Sequence, residues 1–76
     1  MTTTTLDTKG MNCPLPILKA KKALKDLAAG DILEVESTDP GSVKDFDSFC
    51  RTTGNELMDQ GTGDDGVFKF TIKKGA

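Results

Sequence analysis

Residues 14–37 read PLPILKAKKALKDLAAGDILEVES, and in them the apolar period changes from helical to alternating within one short turn. Ile17, Ala20, Leu24, Leu27 and Ala28 recur at helical spacing, with Lys19, Lys22 and Lys25 on other faces. Pro14 suits the first position of this helix, and Ala28-Ala29-Gly30 reads as its stop, with Gly30 free to take the left-handed conformation. From Ile32 to Ser37, Leu33 and Val35 fall on one side and Glu34 and Glu36 on the other, with Ile32 ambiguous, as in a half-buried strand.

Upstream, the Thr-rich residues 3–8 with Leu6 read as a weak strand at an edge, and Lys9-Gly10-Met11-Asn12 as a turn leading to Cys13. Downstream, Thr38-Asp39-Pro40-Gly41 ends the strand, and Ser42 with Asp45 resembles a capping arrangement. Val43, Phe46, Phe49 and Cys50 then form the apolar stripe of a second helix, running to about Thr53 and closed by Gly54. Glu56 to Gln60 reads as a short strand, residues 61–66 as a Gly-rich hairpin loop, and the alternation of Phe68, Phe70 and Ile72 with Lys69, Thr71 and Lys73 as a final strand. The resulting order βαβαββ predicts an α+β two-layer sandwich, with two helices on one face of a mixed four-stranded sheet.

A chain of 76 residues makes a single domain, 1–76, with one modest core, so chemistry is expected at the surface rather than in a deep cleft. The apolar share of 36% and charged share of 29% fit a soluble protein, and no apolar run reaches the length of a membrane span. The Thr-rich start lacks the basic and apolar regions of a secretory signal, which gives a cytoplasmic expectation. A net charge of −2, with Phe as the sole aromatic type, predicts no direct nucleic-acid binding.

Two cysteines are too few for a disulfide framework and are spaced for neither a redox pair nor a zinc site. The absence of His removes the Cys-His dyad and the imidazole base. No cofactor or metal is therefore expected, and a working cysteine must act largely alone. Cys13 lies directly before a helix, where unpaired N–H groups and the positive end of the helix dipole favour a thiolate, with Lys9 able to add to the effect. Pro14 and Pro16 remove donors at the first and third helical positions, leaving Leu15 between them, so the thiol pKa is expected to fall only moderately. Such a thiol remains both nucleophile and leaving group, as a carrier of sulfur requires. The same residues also fit a second reading, in which two prolines merely start a helix and Cys13 is a small buried side chain.

Leu6-Asp7, Gly10, Cys13-Pro14-x-Pro16, Asp39-Pro40, Asp45 and Phe49-Cys50 together resemble the TusA (SirA-like) family of sulfur-carrier proteins over nearly the whole chain. That resemblance implies a sulfurtransferase in which Cys13 takes up sulfur as a persulfide and passes it on, with Pro14 and Pro16 shaping its helix start. It implies donors such as a cysteine desulfurase or a rhodanese-like protein, and acceptors such as DsrE-like proteins. The relay would serve tRNA thiolation or sulfur oxidation. Its alternatives are a redox-sensitive or regulatory binding module, and a thiocarboxylate carrier, which the ending Gly75-Ala76 in place of Gly-Gly argues against.

The remaining candidates carry weaker expectations. Cys50 belongs to the apolar face of the second helix and is expected in the core, with a resolving role as the minority view. Lys19, Lys22 and Lys25 fit either partner docking or an ordinary solvated surface. Asp39 and Asp45 match the family pattern, but capping and turn formation account for them. The Asp64-Asp65-Gly66 stretch lacks the ligand spacing of a calcium loop and reads as a hairpin tip.

Overall fold

The computed structural model describes residues 2–12, 14–63 and 65–75. Its elements are β1 (Thr3–Thr8), α1 (Leu15–Lys25), β2 (Ile32–Ser37), α2 (Ser42–Thr53), β3 (Glu56–Thr62) and β4 (Phe68–Lys73). The strands order as β1-β2-β4-β3, with β1 parallel to β2 and the remaining neighbours antiparallel. This is the expected two-layer βαβαββ sandwich, in which α1 packs over β1 and β2 while α2 packs over β3 and β4. The β3–β4 hairpin folds back so that β4 enters the middle of the sheet. Its strong apolar alternation therefore belongs to a central strand, and the weak patterns of β1 and β3 belong to the two edges.

The core lies between the layers. Leu33, Val35, Phe70 and Ile72 from β2 and β4 meet Ala20 and Leu24 of α1 and Phe46 and Cys50 of α2, each at most 4% exposed. The Phe46 and Phe70 rings pack with centroids 4.7 Å apart, and Phe49 meets Phe46 edge-on at 6.3 Å. Buried polar groups are few and bonded: the Thr8 hydroxyl donates to Glu36 O at 2.6 Å, and the Ser42 hydroxyl to Asp39 O at 2.6 Å.

Both ends of α1 differ from the sequence reading. Pro14 is the residue that caps the helix, Leu15 is its first helical residue and Pro16 its second. The prolines thus sit one position earlier than expected. At the other end the helix closes at Lys25, five residues before Gly30. The Asp26 N–H donates to Ala23 O at 3.2 Å and the Leu27 N–H to Leu24 O at 3.1 Å, which tightens the last turn. The Asp31 carboxylate then takes the Ala28 N–H at 3.0 Å, so Ala28 belongs to a turn rather than to a helix. That bond, with a second from Thr2 N–H, holds the Asp31 carboxyl below its ordinary pKa. Gly30, at φ 92°, supplies the left-handed step of this turn into β2.

The start of α2 also departs from its expected form. Gly41 is the cap, and the Ser42 hydroxyl donates backwards to Asp39 O instead of accepting from the helix. The far end is as expected, with Gly54 left-handed at φ 77°.

Candidate functional site

Cys13 lies outside the described residues, so the site is built from the groups on either side of it. The approach is a tight turn in which the Met11 N–H donates to Thr8 O at 3.1 Å, with Gly10 in its third position at φ 82°. A positive φ there is open to Gly at little steric cost. The Gly10 N–H donates to the Thr38 hydroxyl at 2.9 Å, which ties this turn to the end of β2. In the sequence Thr38 marks only the end of the strand; its tie to the site follows from β1 and β2 lying side by side in register, Thr8 opposite Ser37.

On the other side of Cys13, the Leu15 N–H donates to Asn12 O at 2.9 Å and the Leu18 N–H to Pro14 O at 3.0 Å. The donor that the sequence reading left available between the prolines is therefore committed to the backbone. Pro14 and Pro16 contribute no N–H at all. Pro14 is exposed and makes no side-chain cap, Pro16 is buried, and the first turn of α1 carries no acidic residue. The helix start that follows Cys13 is thus poor in specific donors but free of competing carboxylates. What it offers an anion is mainly the dipole of the helix.

Lys9 does not stand free to supplement that field. Its ammonium lies 3.8 Å from an Asp7 carboxylate oxygen and 3.7 Å from one of Glu36. Asp39 accepts the Gly41 N–H at 3.1 Å and Asp45 lies in the first turn of α2, as the turn-forming reading requires. The Asp65 carboxylate accepts the Val67 N–H at 3.2 Å within the hairpin loop, while Asp64 lies outside the described residues.

Cys50 is 3% exposed in the core cluster. Burial, with the nearby Asp47 charge, pushes its thiol up to about 11. At neutral pH it is a packed thiol and not a nucleophile. Among the described residues, no group of three or more Cys, Asp or Glu is placed to hold a metal ion, and no helix is long and apolar enough to cross a membrane.

The surface beside the site is uneven. Lys19, Lys21, Lys22 and Lys25 are all exposed, and among the described residues none of them forms an ion pair. Between them on the outward face of α1 lie Leu15 and Leu18, 48% and 54% exposed. The helical period could have revealed these two leucines, because their positions fall opposite Ala20 and Leu24. A shallow groove of about 380 Å3 separates α1 from α2, with Pro14, Ile17 and Phe49 as its apolar lining and Asp45 among its polar residues. A larger concavity of about 420 Å3 lies on the open face of the sheet among Glu34, Glu36, Asp59 and Lys69, and carries no nucleophile.

Comparison with known proteins bears on the family and the fold. The family described as sulfurtransferase TusA matches residues 4–74. A sulfur carrier protein TusA from Allochromatium vinosum is 58% identical over 69 residues, covering 91% of this chain and 90% of that protein. A putative sulfur carrier protein from Neisseria meningitidis serogroup A is 49% identical over 73 residues, covering 96% and 97%. The crystal structure of a SirA-like protein from Desulfitobacterium hafniense superposes with a TM-score of 0.85 at 31% identity, over 96% of this chain and 99% of that one.

Proposed function

Because the chain belongs to the TusA family of sulfur carriers, we propose that Cys13 is the atom-bearing residue: its thiolate accepts one sulfane sulfur, holds it as a persulfide, and yields it to a partner's thiolate. One molecule carries one sulfur per cycle. The observation that supports this reading is the start of α1, which directly follows Cys13 and carries neither a capping side chain nor an acidic residue in its first turn. A negative sulfur there is favoured by the helix dipole. With both prolines lacking N–H groups and the Leu15 N–H bonded to Asn12, its stabilisation stays moderate. A thiol of that kind serves both as nucleophile and as leaving group.

The donor in this scheme is a protein persulfide of the cysteine desulfurase or rhodanese-like kind, and the acceptor a cysteine protein of the DsrE-like kind. The same exchange serves tRNA thiolation and sulfur oxidation alike. The cytoplasm is its compartment, since a lone working thiol must be kept reduced between cycles. Lys19, Lys22 and Lys25 steer partners with acidic rims, and Leu15 and Leu18 give such a partner an apolar contact among the cations.

Incubation with inorganic polysulfide, or with a desulfurase and cysteine, should add the mass of one sulfur to Cys13 and nothing to a Cys13→Ser variant. The adduct should disappear on reduction. Failure of several such donors to produce it would remove the proposal.

A further inference from the structure

The two edges of the sheet are protected very differently. β3 is interrupted by a register shift between Leu57 and Asp59, carries the charges of Glu56 and Asp59, and contains Gly61. Such features discourage a further strand. β1 has fewer of them: Thr3–Thr8 pairs with β2 without a break, contains no Pro, Gly, Lys or Arg, and carries a single charge, Asp7. The Ile32 N–H donates to Thr2 O at 2.8 Å, and Thr3 is opposite Ile32. In a parallel ladder this directs the N–H and C=O groups of Thr4 and Leu6 towards β2, and those of Thr3, Thr5 and Asp7 outward. An unblocked row of backbone donors and acceptors is thus presented along β1.

The helix layer above that edge has a distinct character. Ile17 lines the groove against α2, so the opposite flank of α1, one helical step at a time, carries Ala23 and then Lys19. That flank overhangs β1, since α1 packs on β1 and β2. Leu6 and Ala23 are only partly buried there, at the open side of the core. The helix runs back along β1 at about 1.5 Å per residue against about 3.3 Å in the strand, so Lys19 lies nearer the Thr8 end of β1 than Ala23 does. α1 carries four lysines and no acidic residue, so the overhang is cationic.

We propose that the β1 edge receives an extended segment of a sulfur-transfer partner as a fifth strand parallel to β1, with apolar side chains over Leu6 and Ala23 and a carboxylate under Lys19. The inference rests on the persulfide reading of Cys13 and adds to it the form in which a partner's thiol arrives. A strand parallel to β1 ends beside the turn at Lys9–Asn12, the four residues that precede Cys13. A cysteine one or two residues beyond that strand is carried to the same end of the sheet. Its thiolate attacks the outer sulfur of the Cys13 persulfide; the S–S bond to Cys13 breaks as the new one forms, and Cys13 leaves as thiolate. No electrons are gained or lost overall, and no further reagent is consumed.

The test uses the synthetic peptide Val-Thr-Val-Thr-Glu-Thr-Gly-Cys with the full-length isotopically labelled protein. Backbone amide shifts should change along Thr3–Thr8, with the outward amides of Thr3, Thr5 and Asp7 gaining protection from exchange. Thr5→Pro deletes one outward N–H without touching the ladder to β2, a position where an edge strand tolerates proline. It should slow sulfur transfer to the peptide about tenfold, as loss of a main-chain contact in strand addition predicts. Thr5→Val keeps that N–H and should transfer normally, and a peptide with Lys in place of Glu should transfer more slowly. Loading of Cys13 from inorganic polysulfide should be the same in all variants, so a protein that never loads defeats the persulfide reading itself. Normal loading with unimpaired transfer by Thr5→Pro would overturn the strand proposal. Shifts confined to β3, or a concentration-dependent dimer of the free chain through β1, would overturn it as well.

Discussion

At the start of α2 the Asp39 carboxylate accepts the Gly41 N–H, the Ser42 hydroxyl donates to Asp39 O, and Asp45 adds a negative charge to the first turn. Neither helix start has a side-chain cap among the described residues, but that of α1 also has no acidic residue in its first turn, and Pro16 occupies a position where an N–H would otherwise project. Both helices carry a cysteine nearby, Cys13 before α1 and Cys50 in the last turns of α2. One helix start has a carboxylate of its own chain in its first turn. The other has none, and the thiolate proposed for Cys13 would be the negative charge before it. The contrast continues along the helices: α1 bears lysines alone, whereas α2 mixes Asp45 and Asp47 with Lys44 and Arg51, the Asp47–Arg51 pair bonding one turn apart. On the proposed function, α1 is organised around an anionic sulfur and an acidic visitor, and α2 around internal stability.

The sharpest way to break this division is through the cysteines. Cys13→Ser should abolish sulfur uptake entirely, while Cys50→Ala should load normally and lose about 1 kcal/mol of stability from the vacated core volume. Iodoacetamide at pH 8 should modify Cys13 and spare Cys50 in the folded protein, since a thiol pushed up to about 11 is almost fully protonated there. The same elevation has a consequence for stability. The folded state raises the Cys50 pKa, so its contribution is fully present below the ordinary thiol range and is lost as pH rises towards about 11. Denaturation midpoints of the wild type should therefore fall across that window more steeply than those of Cys50→Ala. Rapid alkylation of native Cys50, or uptake of sulfur by Cys13→Ser, would erase the distinction between the two.

The next effect concerns the charges. Reversing both Lys19→Glu and Lys22→Glu should reduce transfer to an acidic partner protein about tenfold at low salt, with the difference shrinking as salt rises. Polysulfide loading should be unaffected, because a small donor does not depend on docking. The equivalent change on α2, Lys44→Glu, should leave both rates unaltered. Stopped-flow transfer measured across a salt series separates these outcomes.

A milder change gives α1 the acidic start that α2 already has. Asn12→Asp places a carboxylate beside Cys13, at a residue whose side chain is exposed and whose carbonyl already serves Leu15. A rise of about one unit in the Cys13 pKa would cut its thiolate about tenfold near pH 7, offset by an approximately threefold gain in intrinsic nucleophilicity, for a net slowing of about threefold. The thermal midpoint should hold or increase slightly, as an acid near a helix start is favourable. A slower but no less stable protein would show that the α1 start is kept free of acid for chemistry; unchanged loading rates would show that it is not.

The order of elements and the composition of the core were legible because they depend on period, and period survives in β2, α2 and β4, whose apolar residues point inward as their spacing predicts. The ends of α1 were less legible because partners distant in sequence decide them. Asp31 captures Ala28, and the Lys74 ammonium, from the end of β4, reaches Leu27 O, so the helix stops well before the glycine that looked like its terminator. Lys9 is a neighbour of Cys13 in sequence. Its commitment to Asp7 and Glu36 depends on the pairing of β1 with β2, which no local pattern discloses. Cys13 itself was singled out by its motif and its place before a helix, and the burial of Cys50 followed from its position on the apolar stripe.

The smallest expected effect returns to α2. Asp39→Ala removes the acceptor of the Gly41 N–H and the carboxylate that closes the turn before the helix, while the backbone carbonyl that receives the Ser42 hydroxyl stays in place. Loss of such a group typically costs about 1 kcal/mol. The change should appear as a lowered denaturation midpoint with an unchanged slope, because the folded surface is the same. Sulfur loading at Cys13 should be unaffected well below the midpoint. If loading fell in step with stability instead, Asp39 would act on the thiol as well as on the turn, and the division between a chemical helix and a structural one would have to be redrawn at that residue.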